Sequence, residues 1–300
     1  MGIRGLTGWI RWAAPKTVSA PNWPEYQNTI IGIDILGFLY KAKARKECPY
    51  EYLALFIVAC KQLQFTPVII FDGKPPDAKR PALIQRAETR DLKRTDYFTS
   101  EERDVCKQIC YAAGILCLNA SGEADDVLAY FSRKGYFKAV ISSDLDLLPR
   151  GVETLIVPEG ADLPGALAGW RTYTLSAILA TVDMTYNKFV EMCVLMGCDY
   201  TTGQKSLPYK SACWAIKNRR DMLKILETMG VLDETPYTDS IRRLKGELQT
   251  RVTLMGEKQW EKWEAGPPLS EYEALSRFRT THLATLSDED FLLLSTQTPQ

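Results

Sequence analysis

Acidic side chains that border apolar segments concentrate in residues 121–150 of this sequence. The stretch begins S-G-E-A-D-D-V-L-A-Y-F and ends A-V-I-S-S-D-L-D-L-L-P-R, and its acids are Glu123, Asp125, Asp126, Asp144 and Asp146. A carboxylate beside a hydrophobic core costs several kcal/mol unless it is paired, hydrogen-bonded or neutralised by a cation. We expect no Lys or Arg to pair with these acids, so the cluster suggests a bound metal ion.

Three further acids follow apolar segments elsewhere in the chain. Asp34 comes near the end of the β-branched run T-I-I-G-I-D-I, Asp72 ends T-P-V-I-I-F-D, and Asp199 follows an expected helix. Short β-branched runs of this kind are typical of buried parallel strands. The carboxyl ends of such strands meet at the edge of the sheet where open α/β folds bind ligands. We therefore expect these acids to converge.

The residues alone leave open which of Asp125 and Asp126 joins this group. On a helix, Glu123 and Asp125 point roughly 200° apart, whereas Glu123 and Asp126 share a face. Helical geometry therefore favours Asp126. Asp144 and Asp146 are two residues apart in a segment that we expect to be extended, so they project to one side. With one acid of the Asp125 and Asp126 pair, the group contains seven carboxylates.

The donor chemistry of this group favours a hard cation. Oxygen ligands without His or Cys select Mg²⁺ or Mn²⁺ over zinc or copper. His282 is the single histidine and the eight cysteines are irregularly spaced, so a zinc site is not expected. Seven acids exceed what one Mg²⁺ needs, and two ions roughly 3.5 to 4 Å apart are the economical solution. Because such a pair serves in-line attack on a phosphodiester, the acids predict phosphodiester hydrolysis.

A basic helix is predicted from Lys79 to about Arg94. Steps of seven, four and three residues place Lys79, Arg86, Arg90 and Lys93 on one face, which is suited to gripping phosphates. The net charge of zero does not exclude a nucleic-acid partner. With seven acids assigned to the site, the remaining 30 acids face 37 basic residues, which leaves about +7 for the rest of the surface.

The length and composition fit one large domain or two modest ones with a sizeable core. No apolar run approaches the roughly 18 residues of a membrane span, and the N-terminus lacks the apolar region of a secretory signal. With irregularly spaced cysteines, these features predict an intracellular protein with reduced thiols. Further expected elements are helices at 37–46, 50–63, about 174–182 and 186–196, a Thr99 and Glu102 capping box before a helix to about Gly114, a strand at 153–157, and a loop at 161–169.

Six motifs, met in order along the chain, resemble the flap endonuclease branch of the structure-specific 5′ nucleases. They are M-G-I-R-G-L, I-G-I-D-x-x-x-F-L-Y, F-D-G-K-P-P-x-x-K, G-E-A-D-D, S-S-D-L-D and M-G-C-D-Y-T. Each is weak alone, but together they are very specific. The resemblance implies an α/β fold with a PIN-like core, in which helices flank a mostly parallel central sheet. It implies a nuclease core over residues 1–228, with a helical arch at about 77–113 and a helix-hairpin-helix region at about 199–228, followed by a helical extension over 229–300.

The resemblance also assigns roles to individual positions. The matching metal-ligand acids are Asp34, Asp72, Glu123, Asp125, Asp144, Asp146 and Asp199, so the resemblance selects Asp125 over Asp126. Lys79 and Arg86 match basic residues at the base of the arch that contact the scissile phosphate. Tyr40 matches an aromatic residue that stacks on a terminal base, and Gly2 matches a small residue near the DNA. Arg90, Lys93 and Lys210 are further expected DNA contacts.

The chain departs from the family pattern at two places. Where the family has G-I-G-P-K-R-A in its DNA-binding hairpin, this chain has S-L-P-Y-K-S-A over residues 206–212, which retains Lys210 but loses the glycines that bring backbone amides to phosphates and help to hold a potassium ion. The segment between Asp72 and Glu123 is shorter than in flap endonucleases, with a tight turn expected near Asp96. Members that cut four-way junctions have more open arches.

We therefore predict a Mg²⁺-dependent, structure-specific 5′ nuclease with two ions, for which Mn²⁺ is a substitute, and with 5′–3′ exonuclease activity as a further expectation. Its expected partner is flapped, nicked, gapped or junction DNA in replication, repair or recombination. The alternatives are a four-way-junction resolving nuclease, a PIN-type RNase and a non-catalytic nucleic-acid-binding regulator. The sequence shows no sliding-clamp-binding peptide, and we expect a monomer, no membrane association and a nuclear or other DNA-replication compartment.

Overall fold

A computed structural model describes residues 2–90, 98–158, 169–201, 204–219, 221–246 and 252–254. Its centre, within these residues, is one sheet of eight strands. The strands are β1 (Val18–Ser19), β2 (Ile30–Asp34), β3 (Thr66–Phe71), β4 (Leu116–Ala120), β5 (Ala139–Ile141), β6 (Thr154–Pro158), β7 (Trp170–Thr174) and β8 (Val252–Leu254). Their order across the sheet is β1-β7-β6-β5-β2-β3-β4-β8.

Helices cover both faces of this sheet. In the described part of the chain they are α1 (Leu6–Ala13), α2 (Leu36–Ala44), α3 (Pro49–Gln62), α4 (Arg80–Arg90), α5 (Ser100–Ala112), α6 (Ala124–Arg133), α7 (Leu175–Val182), α8 (Tyr186–Met196), α9 (Tyr209–Arg219), α10 (Met222–Thr228) and α11 (Thr235–Leu244). None of these helices is long and apolar enough to cross a membrane.

The five central strands, β6-β5-β2-β3-β4, are parallel, and the strands outside them pair antiparallel. From β2 the chain builds β3 and β4 to one side, and it then crosses to the other side to build β5. The strand order thus reverses between β2 and β5. In open α/β sheets, ligands bind at the carboxyl ends of the strands beside such a reversal.

Alternation along the strands divides the core into two layers. In β3, Val68 and Ile70 face one apolar cluster, which includes residues of α1, α6, α8 and α9. Ile69 and Phe71 face a second cluster formed with α2, α3 and α5. Because successive strand side chains point to opposite faces, an unbroken apolar run is what a strand buried on both faces requires.

The predicted α/β class, with a mostly parallel sheet and flanking helices, is confirmed. The helices expected near 37–46, 50–63, 174–182 and 186–196 are present within two residues at each end. The capping box is also present: Thr99 Oγ1 accepts a hydrogen bond from the backbone N–H of Glu102, and the Glu102 carboxylate accepts one from the backbone N–H of Thr99.

Other elements differ from expectation. α1 and the antiparallel strands β1 and β7 were not predicted, and Val252–Leu254 forms strand β8 in a stretch for which helix was expected. These three strands, of which β1 and β8 form the edges of the sheet, are specified by pairing with distant segments rather than by local pattern. The expected loop at 161–169, apart from residue 169, and the turn near Asp96 lie outside the described residues.

Candidate active site

Three neighbouring parallel strands place aspartates at one edge of the sheet. Asp34 is the last residue of β2, Asp72 follows β3, and Asp144 follows β5. Ser142 links two of these strand ends, because its hydroxyl donates to Asp34 Oδ2 at 3.0 Å and accepts a hydrogen bond from the Asp144 backbone N–H at 3.1 Å. The reversal of strand order between β2 and β5 therefore brings Asp34 and Asp144 together, as the predicted convergence requires.

The end of β3 is held against the chain that leaves β4. Gly73 donates its backbone N–H to Gly122 O at 2.8 Å, and a Cβ at Gly73 would lie 2.8 Å from the backbone carbon of Ser121. Only glycine permits so close an approach of two backbones. Directly beyond it, the backbone N–H of Ala124 donates to Asp72 Oδ1 at 2.7 Å. Asp72 thereby lies at the N-terminus of α6, where a carboxylate is stabilised by free backbone amides.

The segment from Asp144 to Asp146 is not extended, as the sequence analysis expected, but forms a 3₁₀ turn over Leu145–Leu147. Asp144 caps this turn, since its Oδ1 accepts the backbone N–H of Asp146 at 3.0 Å. An aspartate that captures an N–H two residues onward favours a turn over a strand. The turn directs Asp146 toward the N-terminal segment, where its Oδ1 accepts the backbone N–H of Ile3 at 2.5 Å.

Gly2 packs directly against this turn. It has a φ of 86°, a left-handed conformation that side chains other than glycine rarely adopt, and a Cβ there would lie 2.6 Å from Asp144 Oδ1 and even closer to Asp146. The family resemblance predicts that Gly2 lies near DNA. In the structure, Gly2 packs against the side chains of Asp144 and Asp146.

The helical-face argument for Asp126 fails because Glu123 is not helical. Glu123 is the residue before α6 and has φ −84° and ψ 138°, so the angular spacing of a helix does not apply to it. Burial raises the pKa of the Asp125 carboxyl group, and Asp144, Asp34 and Glu123 raise it further against the opposing effect of Arg150. Asp126 is the more exposed of the pair, with 27% of its side chain accessible against 15% for Asp125. The environment of Asp125 is thus that of a member of the acidic group.

Two basic side chains lie among these acids, which contradicts the expectation that none would pair with them. Lys79, in a 3₁₀ turn just before α4, contacts Glu123 Oε1 and lies 3.4 Å from Asp199 Oδ2. Arg150, only 3% exposed, donates to Glu123 Oε2 at 3.1 Å and to Asp126, and its Nε is 4.0 Å from Asp125 Oδ2. Tyr200 bonds both Glu123 and Arg150 through its hydroxyl.

Sequence analysis missed Arg150, Tyr200 and Ser142. Arg150 stands in P-R-G directly after D-L-D-L-L, and Tyr200 follows Asp199 in M-G-C-D-Y-T, so both lie next to acidic motifs in the sequence. What was not visible is the packing of α6, the turn after β5 and the end of α8 around one point. A basic residue immediately after an acidic motif in a strongly apolar context is a usable signal for an internal ion pair.

The charges explain the protonation behaviour of the site. Burial, together with the carboxylates of Asp72 and Asp144, raises the pKa of Asp34 to about 7. Burial and neighbouring carboxylates also raise the pKa of Asp72, Asp125 and Asp146. For Glu123, burial acts upward, but Lys79 and Arg150 lower its pKa to about 2. Burial lowers the pKa of Lys79, but Glu123, Asp125 and Asp199 raise it above its ordinary value. Glu123 therefore has both Lys79 and Arg150 as hydrogen-bond partners. For Asp34, Asp72, Asp125 and Asp146, burial and repulsion between carboxylates outweigh the nearby positive charges.

These residues suit a hard divalent cation in donor chemistry. Seven carboxylates share the sheet edge, and the pKa increases of four of them arise from burial and mutual repulsion that a cation would relieve. Among the residues that the structure describes, however, no three His, Cys, Asp or Glu side chains are already gathered around a point that could hold a metal ion. Lys79 and Arg150 lie between some of the acids instead.

The expected DNA contacts are spread over several elements. Tyr40, on α2, is half-buried and packs edge-on against Phe98 with ring centroids 5.4 Å apart. Lys210 is exposed on α9, and its Nζ lies 5.5 Å from the centre of the Trp12 ring. Arg86 and Arg90 belong to α4, but their side chains, like all of Lys93, lie outside the described residues.

The altered hairpin is held by contacts with α8 and with the start of α1. The backbone N–H of Leu207 donates to Leu195 O at 2.8 Å, which anchors the loop to the end of α8. Tyr209 packs on α1, where added Cβ atoms at Gly5 and Gly8 would lie 3.3 and 3.4 Å from its ring. α9 and α10 follow, so two helices are present in the expected hairpin region.

Two family models match segments of this chain. Residues 1–93 match the model of the XPG N-terminal domain, and residues 114–199 match that of the XPG I-region. Flap endonuclease 1-A of Sorghum bicolor is 26% identical over 87% of this chain and 78% of its own length. Flap endonuclease 1 of Entamoeba histolytica is 27% identical over 76% of this chain and 70% of its own length.

Solved structures share the fold at lower identity. The flap endonuclease-1 of Methanococcus jannaschii matches with a TM-score of 0.62 at 18% identity, over 76% of this chain and 82% of that one. The catalytic core of Rad2 in complex with DNA substrate matches with a TM-score of 0.64 at 17% identity, over 97% and 99% of the two chains. Together, the two family models cover all seven acids: residues 1–93 contain Asp34 and Asp72, and residues 114–199 contain the other five. The chain belongs to the XPG/Rad2 family of structure-specific 5′ nucleases.

Proposed function

We propose that this chain is a Mg²⁺-dependent nuclease that hydrolyses DNA phosphodiesters near junctions of single-stranded and duplex segments. The observation that carries the proposal is the convergence of acids from the ends of β2, β3 and β5 and from the N-terminus of α6 at one edge of the sheet, with Lys79 among them. Nucleases of this family use divalent metal ions in general; Mg²⁺ as the ion and two as the number are part of the proposal.

The residues that would hold the ions, directly or through water, are Asp34, Asp72, Glu123, Asp125, Asp144, Asp146 and Asp199. When bound, two divalent ions, Mg²⁺ or as a substitute Mn²⁺, would help water to attack the phosphodiester and would offset charge on the attacking and leaving oxygens. The chain itself supplies the rigid frame for this chemistry. Ser142, Ala124 N–H and Ile3 N–H each hold one of the carboxylates in place.

Lys79 is suited to stabilise the scissile phosphate. Burial lowers the pKa of Lys79, but Glu123, Asp125 and Asp199 raise it above its ordinary value, so Lys79 is protonated at neutral pH. Its position among the acids, 3.4 Å from Asp199, places a permanent positive charge where a phosphodiester would approach them. Arg86, one to two turns further along α4, is proposed to act with it.

DNA as the substrate is supported by the family and by the DNA bound in similar structures. The Rad2 core was solved in complex with DNA substrate, and human GEN1, which matches over 92% of this chain with a TM-score of 0.61 at 17% identity, was solved with Holliday junction DNA. Gly2, Tyr40, Arg90, Lys93 and Lys210 are proposed as DNA contacts of this chain. Cutting of four-way junctions is the second candidate activity, because the segment between Asp72 and Glu123 is short.

The arrangement argues against a non-catalytic regulator, since every one of the seven positions carries an acid. We further propose a monomer that acts inside the cell, in the nucleus or another compartment where DNA is replicated. Residues 1–228 are proposed to form the nuclease core and residues 229–300 to extend it.

The test is a cleavage assay with labelled flapped, nicked, gapped and four-way-junction DNA and single-stranded RNA, each with Mg²⁺ or with EDTA. We expect Mg²⁺-dependent cutting of at least one branched DNA, with a 5′ phosphate on the product, and no cutting of RNA. Asp144→Asn should abolish cleavage and preserve DNA binding, while Asp183→Asn, at an exposed position after α7, should retain activity within about twofold. Absence of Mg²⁺-dependent cutting of every DNA would overturn the proposal.

A further inference from the structure

Arg150 is the most deeply buried cation of the site, and the proposed reaction gives it no part. Its side chain is 3% exposed, yet it approaches the carboxylates of Glu123, Asp125 and Asp126. An arginine keeps its charge in proteins; burial lowers the pKa of Arg150, but Tyr200 and these acids raise it above its ordinary value. A permanent positive charge is thus built into the interior of the acidic group.

The hydrogen bonds of Arg150 occupy Glu123 in particular. Glu123 Oε2 accepts from Arg150 Nη2 at 3.1 Å and from the Tyr200 hydroxyl, while Oε1 accepts from Lys79. Both carboxylate oxygens are therefore engaged by protein donors. A Glu123 that ligated an ion directly would have to release at least one of these partners, which would leave a buried donor unpaired.

One donor of Arg150 is itself without a hydrogen bond. Its Nε is buried and lacks a hydrogen-bond partner, and it points toward Asp125 Oδ2 at 4.0 Å, a distance too long for such a bond. Arg150 thus donates hydrogen bonds to Glu123 and Asp126, but it donates none to Asp125. Arg150 acts on Asp125 through charge alone: burial raises the pKa of Asp125, Arg150 lowers it, and Asp144 and Asp34 raise it.

We infer that Arg150 is a positioning residue that serves as an internal counter-ion to the acids. It occupies Glu123 with a hydrogen bond, offsets the repulsion between the acids when no metal is bound, and lowers their affinity for divalent ions. The inference rests on the metal-binding role proposed above. Coulomb repulsion between the guanidinium and an arriving divalent ion opposes binding, and it acts strongly because the site is buried. Metal ligation then falls mainly on the aspartates to which Arg150 donates no hydrogen bond.

The experiment measures Mn²⁺ binding without DNA, by the electron paramagnetic resonance signal of free Mn²⁺, in the wild type, Arg150→Met and Arg150→Lys. Removing the charge should tighten Mn²⁺ binding by about tenfold, whereas the lysine variant, which keeps the charge, should stay within about threefold of the wild type. Arg242→Met, at an exposed arginine paired with Asp239 on α11, is the matched control and should not change the affinity.

Thermal unfolding gives a second readout. Arg150→Met should unfold at a lower temperature than the wild type without metal, and Mn²⁺ should raise its melting temperature by more than it raises that of the wild type, because a ligand that binds the native state more tightly stabilises it more. A residue that is merely structural would lower stability and weaken metal binding together. If Arg150→Met is unfolded without metal, Mn²⁺ must restore its folding.

Unchanged or weaker Mn²⁺ binding by folded Arg150→Met, or failure of Mn²⁺ to restore an unfolded variant, overturns the inference. So does a wild type that binds no Mn²⁺. The proposed function has its own readout in Mg²⁺-dependent DNA cleavage by the wild type. A wild type that cuts DNA while Arg150→Met shows no tightening refutes the inference alone, whereas a wild type that cuts no DNA refutes the proposed function.

Discussion

The hydroxyl of Ser142 donates a hydrogen bond of 3.0 Å to Asp34 Oδ2, and it accepts one of 3.1 Å from the backbone N–H of Asp144. Ser142 is fully buried and directly follows β5, beside the point where the strand order reverses. One small side chain thus fixes the distance between the acidic ends of two neighbouring strands. Its bond also lowers the pKa of Asp34 against the larger effect of burial.

Ser142→Ala should lower the cleavage rate by about tenfold to a hundredfold, the usual effect of removing a group that orients a metal ligand. The reason is that Asp34 would lose the hydrogen bond from the Ser142 hydroxyl, and its carboxyl group would then ionise less readily. The measurement is kcat on a cleaved DNA substrate at saturating Mg²⁺. Ser143→Ala, one residue onward, is the control and should stay within about threefold. Equal losses in the two variants would refute the role given to Ser142.

Gly2→Ala should lower cleavage by about a hundredfold, because an added Cβ would displace Asp144 and Asp146 from their positions. Gly114→Ala is a matched control: Gly114 has a similar φ of 72°, but a Cβ there meets no atom within 4 Å. That control should lose about 1 kcal/mol of stability from backbone strain alone and retain its activity. Rates and urea unfolding of both variants separate the two effects. Full activity of Gly2→Ala would contradict the close packing described.

The positions of the acids could be predicted from the sequence because each depends on a local rule. Asp34 and Asp72 terminate apolar β-branched runs, and parallel strands bring such ends together whatever the details of packing. The Thr99 capping box depends on residues three apart and is likewise local.

The pairing of those acids could not be predicted, because it depends on packing between distant segments. Arg150 meets Glu123 across 27 residues of sequence, and Tyr200 meets it across 77. The helical spacing of Glu123 and Asp126 does not apply for a different reason: the helix begins one residue later than that spacing requires, and helix ends are the least predictable part of a helix. Such interactions emerge only when α6 and the end of α8 are packed on the sheet.

Glu102→Gln should destabilise the fold in a pH-dependent way. The Glu102 carboxylate accepts from Lys43 Nζ at 2.8 Å and from the Thr99 backbone N–H, and these contacts lower its pKa despite partial burial. A lowered folded pKa gives stability that is present above the unfolded value of about 4.3 and is lost as pH falls through the folded value. The free energy of unfolding of the variant should therefore be about 1 kcal/mol lower than that of the wild type at neutral pH.

Urea unfolding at neutral pH and at about pH 3 tests this, because the difference from the wild type should shrink in acid. Glu227→Gln, at an exposed position on α10, is the control and should show no pH-dependent difference. A difference for Glu102→Gln that persists unchanged in acid would show that the carboxylate charge is not its source.

Asp125→Asn and Asp126→Asn form a matched pair that separates catalysis from stability. Asp125 faces Asp34 and Asp144, so its loss should reduce cleavage by at least about a hundredfold with little change in folding. Asp126 contacts Arg150 at a half-buried position, so its loss should cost about 2 kcal/mol of unfolding free energy and leave cleavage within about fivefold. The measurements are single-turnover cleavage with saturating Mg²⁺ and urea unfolding. The opposite order of effects would assign the metal-ligand role to Asp126, as helical spacing alone had indicated.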